Sequence, residues 1–181
     1  MAAGPYVEPN PPRELIAKVR DAFPGALLDV EEFRGEITLV LARERVFEVA
    51  RALRDDRDTP FAMLTACAGL HFLEGEYEHV VVWVLYSLQK NRRINLKVRL
   101  KPGEGVASLT PLWAGANWPE REQYDLVGIR FEGHPDLRRI IMPEDYPDHP
   151  LRKDFDVEGG PANLDPSGKP ASPGWRDMEH A

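Results

Sequence analysis

The stretch YEHVVVWVLYSLQKNRRINLKVRL, residues 77–100, constrains the fold more than any other part of the chain. Its first half is apolar on both alternating sets, which reads as a strand covered on both faces. The polar run QKNRR makes a turn. In the return segment Ile94, Leu96, Val98 and Leu100 fall on one side, and Arg93, Asn95, Lys97, Arg99 and Lys101 on the other. That period of two is a strand signature, so a long β-hairpin is predicted. Its basic side admits two readings, a landing strip for an acidic partner or a phosphate, or a solvated face whose lysines discourage sheet-to-sheet association. The second is favoured.

A hairpin of this kind needs covering elements, and the N-terminal half supplies them. PPRELIAKVRDAF, residues 11–23, places Leu15, Ile16, Val19, Ala22 and Phe23 on one helical stripe, with Pro24 and Gly25 as the stop. LLDVEEFRGEITLVL then reads as a shorter hairpin turning at Arg34-Gly35, with glycine supplying the positive φ. RERVFEVARALR, residues 43–54, repeats the helical period through Val46, Phe47, Ala50 and Leu53. FAMLTACAGLHFL is ambiguous and is read as a turn of helix leading into a strand. Further on, Thr110-Pro111 and Asn117-Trp118-Pro119-Glu120 mark the starts of two short helices. Gly103-Glu104-Gly105 lacks the spacing and the Lys-Ser/Thr ending of a phosphate-binding loop and reads as a turn.

The expected architecture is an α+β fold: a small mixed or antiparallel sheet of two hairpins packed with amphipathic helices, then an extended C-terminal strap and tail. The boundaries are an α+β domain over 1–115, a helix and strap over 116–155, and a Pro/Gly-rich tail over 156–181 that cannot assemble a core of its own.

Composition narrows the function. A formal charge of -7 repels nucleic acid and anionic lipid on average. The longest apolar run, Val80 to Tyr86, is far below the roughly 20 residues of a membrane-spanning helix. The first residues, MAAGPYVEPNPPRE, have neither secretory nor organellar character and are those expected of an intracellular bacterial chain. A single cysteine, Cys67, supplies no internal disulfide and no cluster or zinc site built from several thiolates. In its small apolar context it reads as a buried inert thiol.

The densest chemistry lies in GHPDLRRIIMPEDYPDHPLRKDF, residues 133–155. An acid-base or metal site here would use His134, His149 and Asp145, yet no nucleophile motif accompanies them and no histidine pair has the H-E-x-x-H spacing. Both histidines precede prolines, which fixes direction at two corners and favours a rigid, turning strap. Arg138, Arg139 and Arg152 carry planar forks suited to carboxylate pairing at an interface, and Leu137, Ile140, Ile141, Met142 and Leu151 offer apolar contact between them. A partner-binding strap is the favoured reading, with truncation of Arg138 or Asp154 expected to strand a partner's charge.

The run over residues 116–155 also resembles the signature of the 30 kDa subunit family of NADH-quinone oxidoreductase, respiratory complex I. The matching residues are Glu120-Arg121-Glu122, Tyr124-Asp125, Gly128-Ile129, Gly133 to Arg138, Met142 to Asp145, and His149 to Asp154. The segment LYSLQKNRRINLKVRL is similar to the family's second hairpin. Val127, Tyr146 and Pro147-Asp148 depart from the pattern, which points to a locally different turn.

The resemblance implies a non-catalytic core component of the hydrophilic arm of a proton-translocating enzyme, peripheral on the cytoplasmic face of the bacterial cell membrane. It implies no redox cofactor in this chain, with FMN, iron–sulfur clusters and quinone in partner subunits. The implied partners are the hydrogenase-like subunit that carries the quinone site and the neighbouring iron–sulfur subunits. The implied partner interface comprises Glu120, Arg121, Glu122, Tyr124, Asp125, His134, Pro135, Leu137, Arg138, Arg139, Met142, Pro143, Asp145, His149, Pro150, Leu151, Arg152, Lys153 and Asp154. Three rival readings stand beside it. They are the equivalent subunit of a membrane-bound hydrogenase or a ferredoxin- or other-donor quinone oxidoreductase, a freestanding acid-base or metal-dependent enzyme, and an adaptor outside respiration.

Overall fold

The computed structural model describes residues 13–155; the expected tail and the two prolines opening the first helix lie outside the described residues. The elements run α1 (Arg13–Ala22), β1 (Leu27–Phe33), β2 (Glu36–Leu41), α2 (Val46–Arg54), β3 (Met63–His71), β4 (His79–Ser87), β5 (Arg92–Leu100), β6 (Val106–Ala107), α3 (Asn117–Val127) and β7 (Phe131–Glu132). The five long strands form one mixed sheet in the order β1-β2-β5-β4-β3. Both predicted hairpins are present, and a parallel β2–β5 pairing joins them. In the first hairpin the turn uses positive φ at Arg34 as well as at Gly35, not at glycine alone.

Three features depart from the sequence reading. Residues 63–71 form strand throughout, with no helical turn, because β3 pairs with β4 from Met63↔Tyr86 to His71↔His79 and cross-strand pairing overrides the helical preference of Ala, Leu and Met. β4 is covered unevenly. His79, Val81, Trp83, Leu85 and Ser87 are buried on one face, while on the other Val80 is buried and Val82, Val84 and Tyr86 are half-buried. Thr110-Pro111 opens no helix. The amides of Leu112 and Trp113 both bond the Leu109 carbonyl, and the Trp113 indole is pinned to the Phe61 carbonyl at 3.1 Å, so the chain makes a turn and a single 3₁₀ turn before α3.

One cluster of buried side chains joins Leu15 and Val19 of α1, Val46, Val49 and Leu53 of α2, the inward residues of β2 to β5, and Val127 and Ile129 at the end of α3. The basic face of β5 is an ordinary paired surface. Lys97 and Arg99 both reach Glu31, at 2.9 and 3.2 Å, and Arg93 reaches Glu36 at 3.1 Å. These acids sit on β1 and β2, so the charges that could have met a partner meet carboxylates of the same sheet.

α3 lies along β3, an edge strand of the sheet. Two side chains one turn apart fix it there. Glu120 accepts from Trp83 Nε1 (3.2 Å), Ser108 Oγ (2.6 Å) and the Leu109 amide (2.9 Å). Gln123 occupies the open edge of β3: its Oε1 accepts the Gly69 amide (2.9 Å) and its Nε2 donates to the Cys67 carbonyl (3.3 Å). A side-chain amide thus takes the place of a neighbouring strand and blocks edge-to-edge association. A Cβ at residue 69 would lie 2.5 Å from Ile129 Cδ1 and 3.0 Å from Gln123 Oε1, so glycine here leaves room for Gln123 of α3 and for Ile129 just beyond it to pack on the strand.

A candidate partner-binding strap held by helix α3

The spacing of α3 gives it two working faces. Glu120 and Gln123 point to the sheet, whereas Arg121 and Asp125, at i and i+4, face the chain that returns over the helix after β7. Asp125 is fully buried and is the hub of that return. Its Oδ2 accepts three consecutive amides, Ile140 (3.0 Å), Ile141 (2.7 Å) and Met142 (3.0 Å). Its Oδ1 accepts Arg139 Nη1 at 2.8 Å, and its backbone carbonyl accepts both Arg139 Nη1 (3.0 Å) and His149 Nδ1 (2.8 Å). Arg139 then donates to the Tyr146 carbonyl at 2.7 Å. One carboxylate and one guanidinium therefore shape residues 139–149. Burial raises the Asp125 pKa, but the Met142, Ile141 and Ile140 amides and Arg139 outweigh it and hold the carboxyl below its ordinary value.

Arg121 holds the preceding segment. It donates to the carbonyls of Arg138 (3.0 Å) and Arg139 (3.3 Å), lies 3.8 Å from Asp136, and stacks over the Trp118 ring at 4.8 Å. His134 is fixed by backbone on both sides: Nε2 donates to the Asn117 carbonyl (3.3 Å) and Nδ1 accepts the Asp136 amide (3.1 Å). The far end is fastened to the sheet. Arg152 grips Asp154 through Nε and Nη2, both at 2.9 Å, and also donates to Glu78 at 3.0 Å, while the Lys153 amide donates to His71 Nδ1 at 3.0 Å. The Arg152 hydrogen bonds pull the Asp154 pKa down to about 2.

The arginines expected to seek carboxylates on a partner find them here within the chain. Arg138 pairs with Asp136 at 2.6 and 2.8 Å while remaining 68% exposed, so water replaces whatever its truncation removes, and the cost is small beside that of stranding a buried charge. Asp154 is likewise half-exposed beside Arg152. Glu120 and Asp125 are wholly buried and Arg121 nearly so; they can serve an interface only by shaping the strap over them. Tyr124, Leu137, Met142 and Pro150 are half-buried; Glu122, Pro135, Pro143, Asp145, Leu151 and Lys153 are exposed.

The acid-base reading finds little support. The His134 ring spends both nitrogens on backbone, His149 Nδ1 is taken by the Asp125 carbonyl, and among the described residues neither joins a cluster of three metal-ligating side chains. Sequence reasoning missed Gln123 and the structural need for Gly128. Gln123 falls three residues after Glu120 on the same face, a spacing that the sequence does display. Gly128 ends α3 at φ 87°, and a Cβ there would lie 2.8 Å from His149 Cδ2.

Apolar side chains stand on the outer surface of this frame among exposed charges such as Glu122, Arg138, Asp145 and Lys153. Trp118, Ile141 and Leu151 are 64%, 59% and 59% exposed. No helix among the described residues is long and apolar enough to cross a membrane.

Comparison with known proteins fits this frame. Residues 39–161 match the family described as "Respiratory-chain NADH dehydrogenase, 30 Kd subunit". An NADH-quinone oxidoreductase subunit of Roseiflexus sp. (strain RS-1) is 45% identical over 141 residues, covering 77% of this chain and 81% of the relative. Its counterpart in Geobacter sulfurreducens is 38% identical over 146 residues, covering 80% and 89%. Among solved structures, a chain of the membrane-bound sulfane sulfur reductase, an archaeal respiratory membrane complex, superposes with a TM-score of 0.67 at 18% identity, over 80% of this chain and 85% of that one, which establishes a shared fold. A family match over residues 39–161 and relatives 45% and 38% identical over most of the chain place the protein in the 30 kDa subunit family of the respiratory-chain NADH dehydrogenases, the NADH-quinone oxidoreductases.

Proposed function

We propose that the chain is a non-catalytic component of the hydrophilic arm of a proton-translocating NADH:quinone oxidoreductase, positioning the quinone-reducing module at the cytoplasmic face of the bacterial membrane. It holds no redox centre; FMN, iron–sulfur clusters and quinone belong to partner subunits, and the strap lies against the hydrogenase-like, quinone-site subunit and its iron–sulfur neighbours. The observation that carries this reading is the division of labour in the strap. Arg121, Asp125, Arg139, Arg152 and the His134 ring are engaged by the chain's own backbone and carboxylates, so these groups set the strap's shape, while Trp118, Ile141 and Leu151 face outward. Single exposed hydrophobics are common, but three on a rigid, internally bonded frame suit a protein interface better than catalysis.

The test is the triple variant Trp118→Ser, Ile141→Ser, Leu151→Ser expressed in place of the native chain. Ile141→Ser and Leu151→Ser leave the chain's own stability nearly unchanged, within about 0.5 kcal/mol each, and Trp118→Ser adds the loss of the ring under Arg121, about 0.5–1 kcal/mol, so a urea titration of the isolated variant checks that it stays folded. The complex recovered from detergent-solubilised membranes should lose this subunit and its NADH:quinone activity. Intact assembly with full activity would refute the interface, and turnover by the isolated chain would refute the non-catalytic role. The likeness to a sulfane sulfur reductase chain favours one further reading, the equivalent subunit of a complex with another electron donor or acceptor; the electron donor oxidised by the purified complex separates the two.

A further inference from the structure

We propose that His71, Glu78 and His79 form a binding site for a divalent cation of the zinc class, coupled to the strap's far end. β3 ends on His71 and β4 begins on His79, and these two are direct cross-strand partners. The loop between them returns Glu78 to the same place. The imidazoles are 6% and 5% exposed, their ring centroids lie 5.1 Å apart, and one ligand atom from each of the three residues falls within 4.8 Å of the others.

The hydrogen bonds give this juxtaposition its meaning. His79 Nε2 lies 3.2 Å from the Val127 carbonyl, which can only accept, so Nε2 carries the proton and Nδ1 presents a lone pair. That lone pair faces Glu78 Oε2 at 3.6 Å. Two acceptors held face to face call for a cation. A proton is one answer. A metal ion is the other, and a backbone carbonyl that fixes the far ring nitrogen is the support a ligating histidine normally has. Two imidazoles and one carboxylate suit zinc, at about 2.0–2.2 Å per bond in tetrahedral geometry with a fourth position left to water, and do not suit magnesium or calcium, which prefer all-oxygen shells.

Loading has a structural consequence. His71 Nε2 lies 3.8 Å from Glu78 Oε1, and its Nδ1 accepts the Lys153 amide. To ligate through Nε2, His71 moves its proton to Nδ1, with no net proton released. Nδ1–H then has an acceptor in Asp154 Oδ1, 4.0 Å away, and the Lys153 amide turns to solvent. Arg152, bonded to Glu78 at 3.0 Å, competes with the metal for that carboxylate. The cation and the last turn of the strap therefore compete for the same groups.

The experiment uses the full-length chain stripped of metal with a chelator, titrated with Zn²⁺ by calorimetry and with Co²⁺ by visible absorption. One saturable site with four-coordinate Co²⁺ bands is expected. Glu78→Gln and His79→Gln should each weaken Zn²⁺ binding by at least about tenfold. Glu78 is the more exposed of the three, so Glu78→Gln reports on ligation even where His79→Gln disturbs folding. Arg152→Ala should bind more tightly than the parent, because Glu78 loses the guanidinium that competes with the metal. Absence of a site, affinity unchanged in Glu78→Gln, equal binding of Mg²⁺, or loss of binding in the tail variant His180→Gln would each overturn the proposal.

Discussion

Asp125→Ala isolates the physical claim on which the strap depends. The substitution removes a fully buried carboxylate that accepts three strap amides and the Arg139 guanidinium. Hydrogen bonds to a charged group are worth about 1.5–3 kcal/mol each, but these four are not additive. Ile141 is exposed, and Ile140 and Met142 are half-buried, so their amides regain water once the strap loosens. Arg139 cannot do so as easily, since its side chain is only 9% exposed. Stranding a buried charge costs about 3–5 kcal/mol, and Arg139 keeps the Asp125 and Tyr146 carbonyls as acceptors, which places the loss near about 3 kcal/mol. For a urea slope of roughly 2 kcal/mol per molar, the unfolding midpoint falls by about 1.5 M. Hydrogen exchange should lose protection at Ile140–Met142 before the sheet amides do. The sign with pH is fixed as well. The folded carboxyl titrates below its ordinary value, so its contribution is complete above that value and disappears as pH falls through the folded one. A midpoint shift under about 0.3 M with unchanged protection at residues 140–142 would refute the hub.

Three further outcomes follow from named geometry. Gly128→Ala meets a left-handed φ of 87° and a Cβ position 2.8 Å from His149, so it should cost about 1–2 kcal/mol or more and lower the melting temperature by several degrees. Glu120 has its pKa raised by burial against its three hydrogen bonds, so its contribution is fullest below the ordinary value of 4.5 and declines as pH rises toward the folded one; the stability of Glu120→Gln relative to the parent should therefore improve with rising pH in urea unfolding. His134 has its pKa lowered chiefly by burial, so the neutral ring's contribution holds above the ordinary value of 6.5 and is lost as pH falls below it, a slope that His134→Gln should flatten.

The sequence by itself determined the hairpins, both N-terminal helices and the helix at Asn117, because each is written in a local period of apolar residues. It also determined the family signature over residues 116–155, a linear string of residue types. Only the tertiary structure decided that Met63–His71 is strand, since its partner β4 is what overrides a composition fit for helix. Only the structure decided where charges are spent. Arg93, Lys97 and Arg99 meet acids contributed by β1 and β2, and Arg139 meets a helix carboxylate fourteen residues earlier. The His71–Glu78–His79 cluster has no motif spacing on a helix and exists because antiparallel register sets two strand ends opposite one another. Periodicity is a property of neighbours along the chain, and a sequence displays it directly. Pairing, burial and the choice between a partner's carboxylate and one's own depend on which distant segments the fold brings within hydrogen-bond reach.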